Sequence, residues 1–188
     1  MTAAMGAVLL LAAHQGHAAS IDAKVAATEA ARCVVALIDA ARETGVPLRL
    51  LRRLASLESG LGGTRGISYP WPWTLNTNGH GSFHFRSRNA AVTHLRALLA
   101  AGITNVDIGC MQVNWRWHRD AFASPADMLD PSHNVRYAVH LLAAYKVKAG
   151  SWSAAVALYH TRDARLAAAY ECRVARALMP QGEIAGCP

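Results

Sequence analysis

A mainly α domain carrying one small β-hairpin is predicted by three features of the sequence. Apolar residues make up 53% of the chain, and they are weighted to Ala and Leu with few β-branched side chains, a balance that favours helices packed on helices over a large sheet. Helix start and stop signals recur along most of the length. Only 62–85 breaks that pattern, with Gly, Pro, Trp, Asn and His in place of Ala and Leu. At 188 residues there is apolar surface for one sizeable core, and no repeat, linker or low-complexity segment divides it.

The first nineteen residues hold no charged side chain, run through an apolar stretch at 7–13 and finish with Gly16, Ala18 and Ala19. That reads as a secretory signal peptide over 1–19, cleaved after Ala18 or Ala19, with the domain proper at 20–188. The apolar stretch is too short to cross a bilayer comfortably, so no stable membrane span is expected once it is removed. The next segment, 21–44, is Ala-rich and helical, and Gly45 supplies a left-handed stop. Pro47 opens a second helix, which runs to Ser59 and halts at Gly60. Leu51, Leu54 and Glu58 share one stripe of that helix, so a carboxyl group faces the apolar side.

Two β-like runs, 71–76 and 82–85, flank the hairpin-turn pair Asn78-Gly79. Ser87 caps a helix that ends at Gly102, and Asp107 is expected to cap another over 108–118. Asp130-Pro131 starts a helix through 149, with Val135, Ala138, Val139, Leu142 and Tyr145 on one face and Gly150 as its stop. Ser151 caps the next. A last helix is expected over 163–179, stopped by Pro180, with 181–188 as loop.

Nineteen basic against twelve acidic side chains give a net charge of +7, which favours an anionic partner. The arginines are scattered over several helices and no nucleic-acid motif is present, so nucleic acid is set aside in favour of an acidic cell-wall polymer, which also suits export. Cys33, Cys110, Cys172 and Cys187 lack CxxC or Cys/His ligand spacing, so no metal or other cofactor is expected. An even count behind an export signal suggests disulfides. Of the three pairings, Cys33 with Cys110 and Cys172 with Cys187 is preferred, the second closing a short loop around the tail.

Cleaving a glycosidic bond requires a proton for a poor leaving oxygen while positive charge builds on the sugar ring, work done by a carboxylic acid in desolvating surroundings. Glu58, on an apolar stripe and followed by a Gly- and Trp-rich segment, has such surroundings. A Glu at a helix C-terminus is common in water too, and the position alone would not decide. The rest of the chain does: Leu57-Glu58-Ser59-Gly60, Pro72-Trp73-Thr74-Leu75-Asn76, Asp107-Ile108-Gly109-Cys110-Met111-Gln112-Val113-Asn114, Asp130-Pro131 with Asn134, and Trp152 with Tyr159. In this order and spacing, over about 33–159, these motifs resemble the lytic transglycosylase (SLT) domain, a lysozyme-like helical fold. Small periplasmic members associated with type III and type IV secretion, pili and flagella share the Trp-Thr-Leu-Asn type hairpin and an inserted helix before Gly-x-Met-Gln.

The resemblance implies an enzyme that cuts peptidoglycan glycan strands in the periplasm or outside the cell, with Glu58 as catalytic acid and base. Ser59, Met111, Gln112, Asn114 and Tyr159 would line its groove, Asn134 would be structural, and secretion, pilus or flagellar components come into view as partners. The residues themselves are compatible: amides pair with N-acetyl and hydroxyl groups, and an aromatic ring stacks on a pyranose face. Core packing explains Met111 and Trp115 equally well. Two departures stand out, Tyr159-His160 where the family commonly has Tyr-Asn, and Ser132 where secretion-associated relatives often carry a Cys.

Three rival readings follow from the same residues. A lysozyme would need a second carboxylate, for which Asp107 is the candidate, although its expected role as a helix cap is simpler. A wall-binding or scaffold module could keep the groove without activity, against which the retained Glu58 speaks. A thiol- or His-based hydrolase draws on His80, His84 and His94, which show no ligand-like or Cys-paired spacing.

Overall fold

The computed structural model describes residues 23–62, 68–77, 79, 81–160, 166, 168–170, 172 and 174. Five helices form where capping and periodicity place them: α1 (Ala23–Thr44), α2 (Leu48–Ser59), α3 (Arg88–Ala100), α6 (Pro131–Ala149) and α7 (Trp152–His160). Several of their ends have a local cause. Gly45 (φ +72°) and Gly150 (φ +81°) stop α1 and α6 in the left-handed region, and their N–H groups donate to Ala41 and Lys146 carbonyls. Ser87 accepts from Ala90 N–H at the start of α3, and Asp130 accepts from the N–H groups of Ser132 and His133 at the start of α6. Two shorter helices, α4 (Trp115–His118) and α5 (Pro125–Met128), follow the second half of the sheet.

The expected hairpin is β3 (Thr74–Thr77) against β4 (Gly81–His84), antiparallel with Thr77 opposite Gly81. Gly79 has φ +98°; its turn partner Asn78 lies outside the described residues. A second hairpin, β1 (Gly60–Gly62) with β2 (Ser68–Pro70), was not expected. Gly60 is required there by space, since a Cβ would fall 2.2 Å from the Ser56 carbonyl oxygen and 2.5 Å from Ser68 Oγ.

The helix expected over 108–118 is not formed, apart from its last four residues. In its place are β5 (Val106–Ile108), a turn, and β6 (Val113–Asn114), which extend the sheet in the order β4-β3-β5-β6. The reversal between β5 and β6 sits at Gly109 (φ +77°) and Gln112 (φ +49°), backbone conformations that a helix cannot contain. Asp107 is therefore a strand residue and caps nothing, while Asn114 caps α4 by accepting from Arg116 N–H at 3.0 Å.

Helix α6 packs between α1 and α7, and the core runs from this helical layer to the inner face of the sheet. Leu37, Leu51, Leu54, Leu75, Ile108 and Leu142 are almost completely excluded from solvent, each contributing about 1.5–3 kcal/mol by burial. A disulfide joins Cys33 of α1 to Cys110 in the β5–β6 turn, Cα to Cα 5.7 Å, as the preferred pairing has it. Cys172 is also disulfide-bonded; Cys187 lies outside the described residues, as do the expected signal peptide at 1–19 and the expected loop at 181–188. Of the expected 163–179 helix, positions 166, 168–170, 172 and 174 are described and are helical. Among the described residues no helix is long and apolar enough to cross a membrane.

Candidate active site

Glu58 is delivered to the surface of the core by the end of α2. The following residue, Ser59, is 1% exposed; its Oγ shares its proton between the carbonyls of Cys110 (2.8 Å) and Ala55 (3.1 Å) and accepts from Trp71 N–H. That one hydroxyl pins the last turn of α2 to the β5–β6 turn and to the approach to β3. The Glu58 carboxyl consequently opens on a groove of about 610 Å³ lined by Asn76, Asn105, Asp107, Gln112, Val113, Asn114, Trp117, His118, Leu141, Tyr145, Leu158, Tyr159 and His160.

Strand register explains one wall of the groove. Asn76 of β3 lies opposite Asp107 of β5, and Asp107 lies opposite Asn114 of β6. Their neighbours Leu75, Val106, Ile108 and Val113 are buried, so the alternation of a strand sends one set inward and the polar row toward the groove. Asn114 Nδ2 donates to Asp107 Oδ1 (2.7 Å) and to Asn105 Oδ1 (2.8 Å). Burial raises the proton affinity of Asp107 above the ordinary carboxylate range; the hydrogen bond from Asn114 opposes this, and the Glu58 charge adds to it. Two carboxyl groups, those of Glu58 and Asp107, thus face one groove.

Gln112 closes the floor. Its Nε2 donates to the carbonyls of Gly109 (2.9 Å) and Thr74 (3.3 Å), which fixes the amide's orientation, and its Oε1 is buried with no hydrogen-bond partner among the described residues. Tyr159 of α7 donates to the Met111 carbonyl at 2.7 Å. Burial pushes its phenol well above the ordinary value, with the Glu58 and Asp107 charges adding to the rise, so it acts as a neutral donor.

Behind Glu58 stands a pair the sequence reading passed over. Tyr170, 3% exposed, donates its hydroxyl to Glu58 Oε1. Its ring stacks on His160 with centroids 3.8 Å apart and planes 4° from parallel, and His160 Nδ1 lies 3.8 Å from the same Oε1. Glu58, with its side chain 15% exposed, is held from one side and open to the groove on the other.

Of the expected site residues, Glu58, Gln112, Asn114 and Tyr159 meet in the groove, whereas Ser59 and Met111 stand behind its wall. Met111 is fully buried and contributes its backbone: N–H to Asn134 Oδ1 at 3.0 Å and carbonyl to Tyr159. Trp115 packs against the core, while Trp117 is 72% exposed and lines the groove. Asn76 and Trp117 were legible only as alternating positions once the strand and the short helix were known.

His84 and His94 do not border the groove. His94 lies against Phe83 and Phe85, at centroid distances of 4.7 and 5.1 Å, and burial lowers the proton affinity of His84; His80 lies outside the described residues. All described cysteines are disulfide-bonded, so none is available as a thiol nucleophile. Among the described residues no cluster of three His, Cys, Asp or Glu side chains is arranged to hold a metal ion. Comparison with protein-family models, curated proteins and solved structures finds no match to this chain.

Proposed function

We propose that this protein is a peptidoglycan lytic transglycosylase, exported to the periplasm or beyond, that cleaves the β-1,4 bond between N-acetylmuramic acid and N-acetylglucosamine. The single observation that supports this best is the Glu58 carboxyl, held by Tyr170 and opening on a groove walled by Asn76, Gln112, Asn114 and Tyr159. Glu58 protonates the linking oxygen as the C1–O bond breaks. The ionised carboxylate then takes the proton of the muramic acid C6 hydroxyl, whose oxygen closes on C1. The products are a free N-acetylglucosamine 4-hydroxyl and a 1,6-anhydromuramic end, and Glu58 regains its proton. Amide side chains in the groove match the N-acetyl groups of both sugars. The Cys33–Cys110 disulfide suits an oxidising compartment, and a role in opening the wall locally for a secretion system, pilus or flagellum follows from the motif resemblance.

One observation favours a second reading. Asp107 caps no helix and faces the groove with raised proton affinity, with Glu58 among the charges acting on it, so a base for an attacking water is at hand and a lysozyme-type hydrolysis would use it. Product chemistry separates the two. Digestion of purified sacculi is expected to yield anhydromuropeptides that borohydride leaves unchanged; reducible muropeptides as the main product would transfer the assignment to hydrolysis. Glu58→Gln is expected to lower turnover by about 10²–10⁴-fold. A folded Glu58→Gln protein that clears wall suspensions at the parent rate would remove Glu58 from the chemistry, whereas a parent protein that binds sacculi and releases no product would leave a wall-binding module as the reading.

A further inference from the structure

On the groove wall lies a feature that bond cleavage does not use. Helix α4 is only four residues long, and positions two apart on a helix face opposite ways. Trp115 turns into the core, and Trp117 is thereby turned out, 72% exposed on the groove wall. An indole in water forgoes more burial than any other side chain, so an exposed one on a groove wall marks a surface that a ligand covers. The platform is anchored. Asn114 caps the helix, and the adjacent His118 Nδ1 is 2.8 Å from the Tyr137 hydroxyl, with their rings 5.4 Å apart.

Arg116 places its guanidinium over one face of the Trp117 ring, 5.4 Å from the centroid, and leaves the other face for a ligand. Arg119 nearby is paired with Asp120 at 3.6 Å, whereas no carboxylate among the described residues lies within ion-pair distance of Arg116. Here a planar cation with five donors covers one face of an apolar ring, in a chain of net charge +7. A pyranose has a face of C–H bonds that packs on an aromatic ring, and guanidinium pairs with carboxylate through two parallel hydrogen bonds.

We propose that Arg116 and Trp117 form a binding subsite for a pyranose that carries a carboxylate, with the sugar face on the Trp117 indole and the carboxylate on the Arg116 guanidinium. This rests on the wall-cleavage reading above and names which strands it prefers. The carboxylate belongs either to the lactyl arm of a muramic residue or to the stem peptide attached to it; a neutral N-acetylglucosamine polymer offers the sugar face alone.

The test uses the full chain carrying Glu58→Gln, so that binding is read without turnover, and three soluble ligands. These are glycan strands with stem peptides, strands stripped by an amidase so that the lactyl carboxylate is free, and neutral N-acetylglucosamine oligomers. Trp117→Ala is expected to weaken binding of all three about tenfold, with Trp117→Phe recovering most of it. Arg116→Gln is expected to weaken the carboxylate-bearing ligands about fivefold or more and the neutral oligomers by less than about twofold. Loss confined to peptide-bearing strands assigns the carboxylate to the stem peptide, and loss on stripped strands assigns it to the lactyl arm. Trp117→Ala binding within about twofold of the parent, or an equal Arg116→Gln effect on charged and neutral ligands, would overturn the subsite. Trp117-dependent binding by a protein whose Glu58 form releases no product would discard the cleavage reading and keep the subsite; product release indifferent to Trp117 would do the reverse.

Discussion

Replacing Asn134 with Leu, a side chain of similar shape, removes the amide that holds the groove floor while leaving little empty space. Asn134 is fully buried. Its Oδ1 accepts from Met111 N–H (3.0 Å), and its Nδ2 donates to the carbonyls of Ile108 (2.8 Å) and Met128 (3.0 Å). The Met111 N–H would be orphaned, at about 1–3 kcal/mol; each carbonyl keeps a second lone pair and loses about 0.5–1.5 kcal/mol. The gross loss is about 2–6 kcal/mol, offset by about 1 kcal/mol from the added apolar burial of Leu. A net loss of about 1–5 kcal/mol is a sizeable share of a domain's 5–15 kcal/mol.

Urea unfolding followed by tryptophan fluorescence, with the disulfide intact in both proteins, reads this as a lower midpoint at unchanged slope. Activity on sacculi should fall further than the folded fraction does, because the Met111 carbonyl that receives the Tyr159 hydroxyl sits on the segment released. A loss below about 1 kcal/mol with parental activity would show that the β5–β6 turn is held by something other than Asn134.

Replacing Cys33 and Cys110 together with Ala opens a loop of 77 residues and is expected to cost about 4.5 kcal/mol on chain-entropy grounds, seen as the same urea midpoint shift; a change under about 1 kcal/mol would contradict it. Asp107→Asn is expected to stabilise the protein at pH 7. The folded state binds the Asp107 proton more tightly than the unfolded chain, whose value is near 3.8, so wild-type stability declines as pH rises from there through the raised folded value. The advantage of the Asn variant should therefore close as pH falls toward 3.8, and an advantage independent of pH would show that desolvation is not its source. Tyr170→Phe removes only the hydroxyl that holds Glu58 and is expected to lower turnover about tenfold with little change in KM; an unchanged turnover would show that this hydrogen bond does not position the carboxyl.

Local chemistry determined most of the helices from the sequence alone. Where a stop needs φ above zero, as at Gly45 and Gly150, or a cap needs a short side-chain oxygen, as at Ser87 and Asp130, the residue and its neighbours within four positions contain the whole cause. Leu51, Leu54 and Glu58 shared a face for the same reason, and Trp73-Thr74-Leu75-Asn76 read as a strand beside its turn. The segment after Asp107 did not yield to such reasoning. Its neighbours in the fold are Thr74 to Thr77, Asn134 and Cys33, all distant along the chain, and it is their hydrogen bonds and disulfide that make a strand and turn more stable than a helix there.

The same division runs through the site. Glu58 was legible because motif and helix stripe are local, and Cys33 with Cys110 because four cysteines allow few pairings. That Asp107 faces Glu58's groove, that Ser59 and Met111 support it from behind, and that Tyr170 reaches Glu58 across 112 positions of chain were decided by tertiary packing. Contacts of that separation depend on which faces of distant elements are buried together, and no window of sequence short enough to read for periodicity contains both partners.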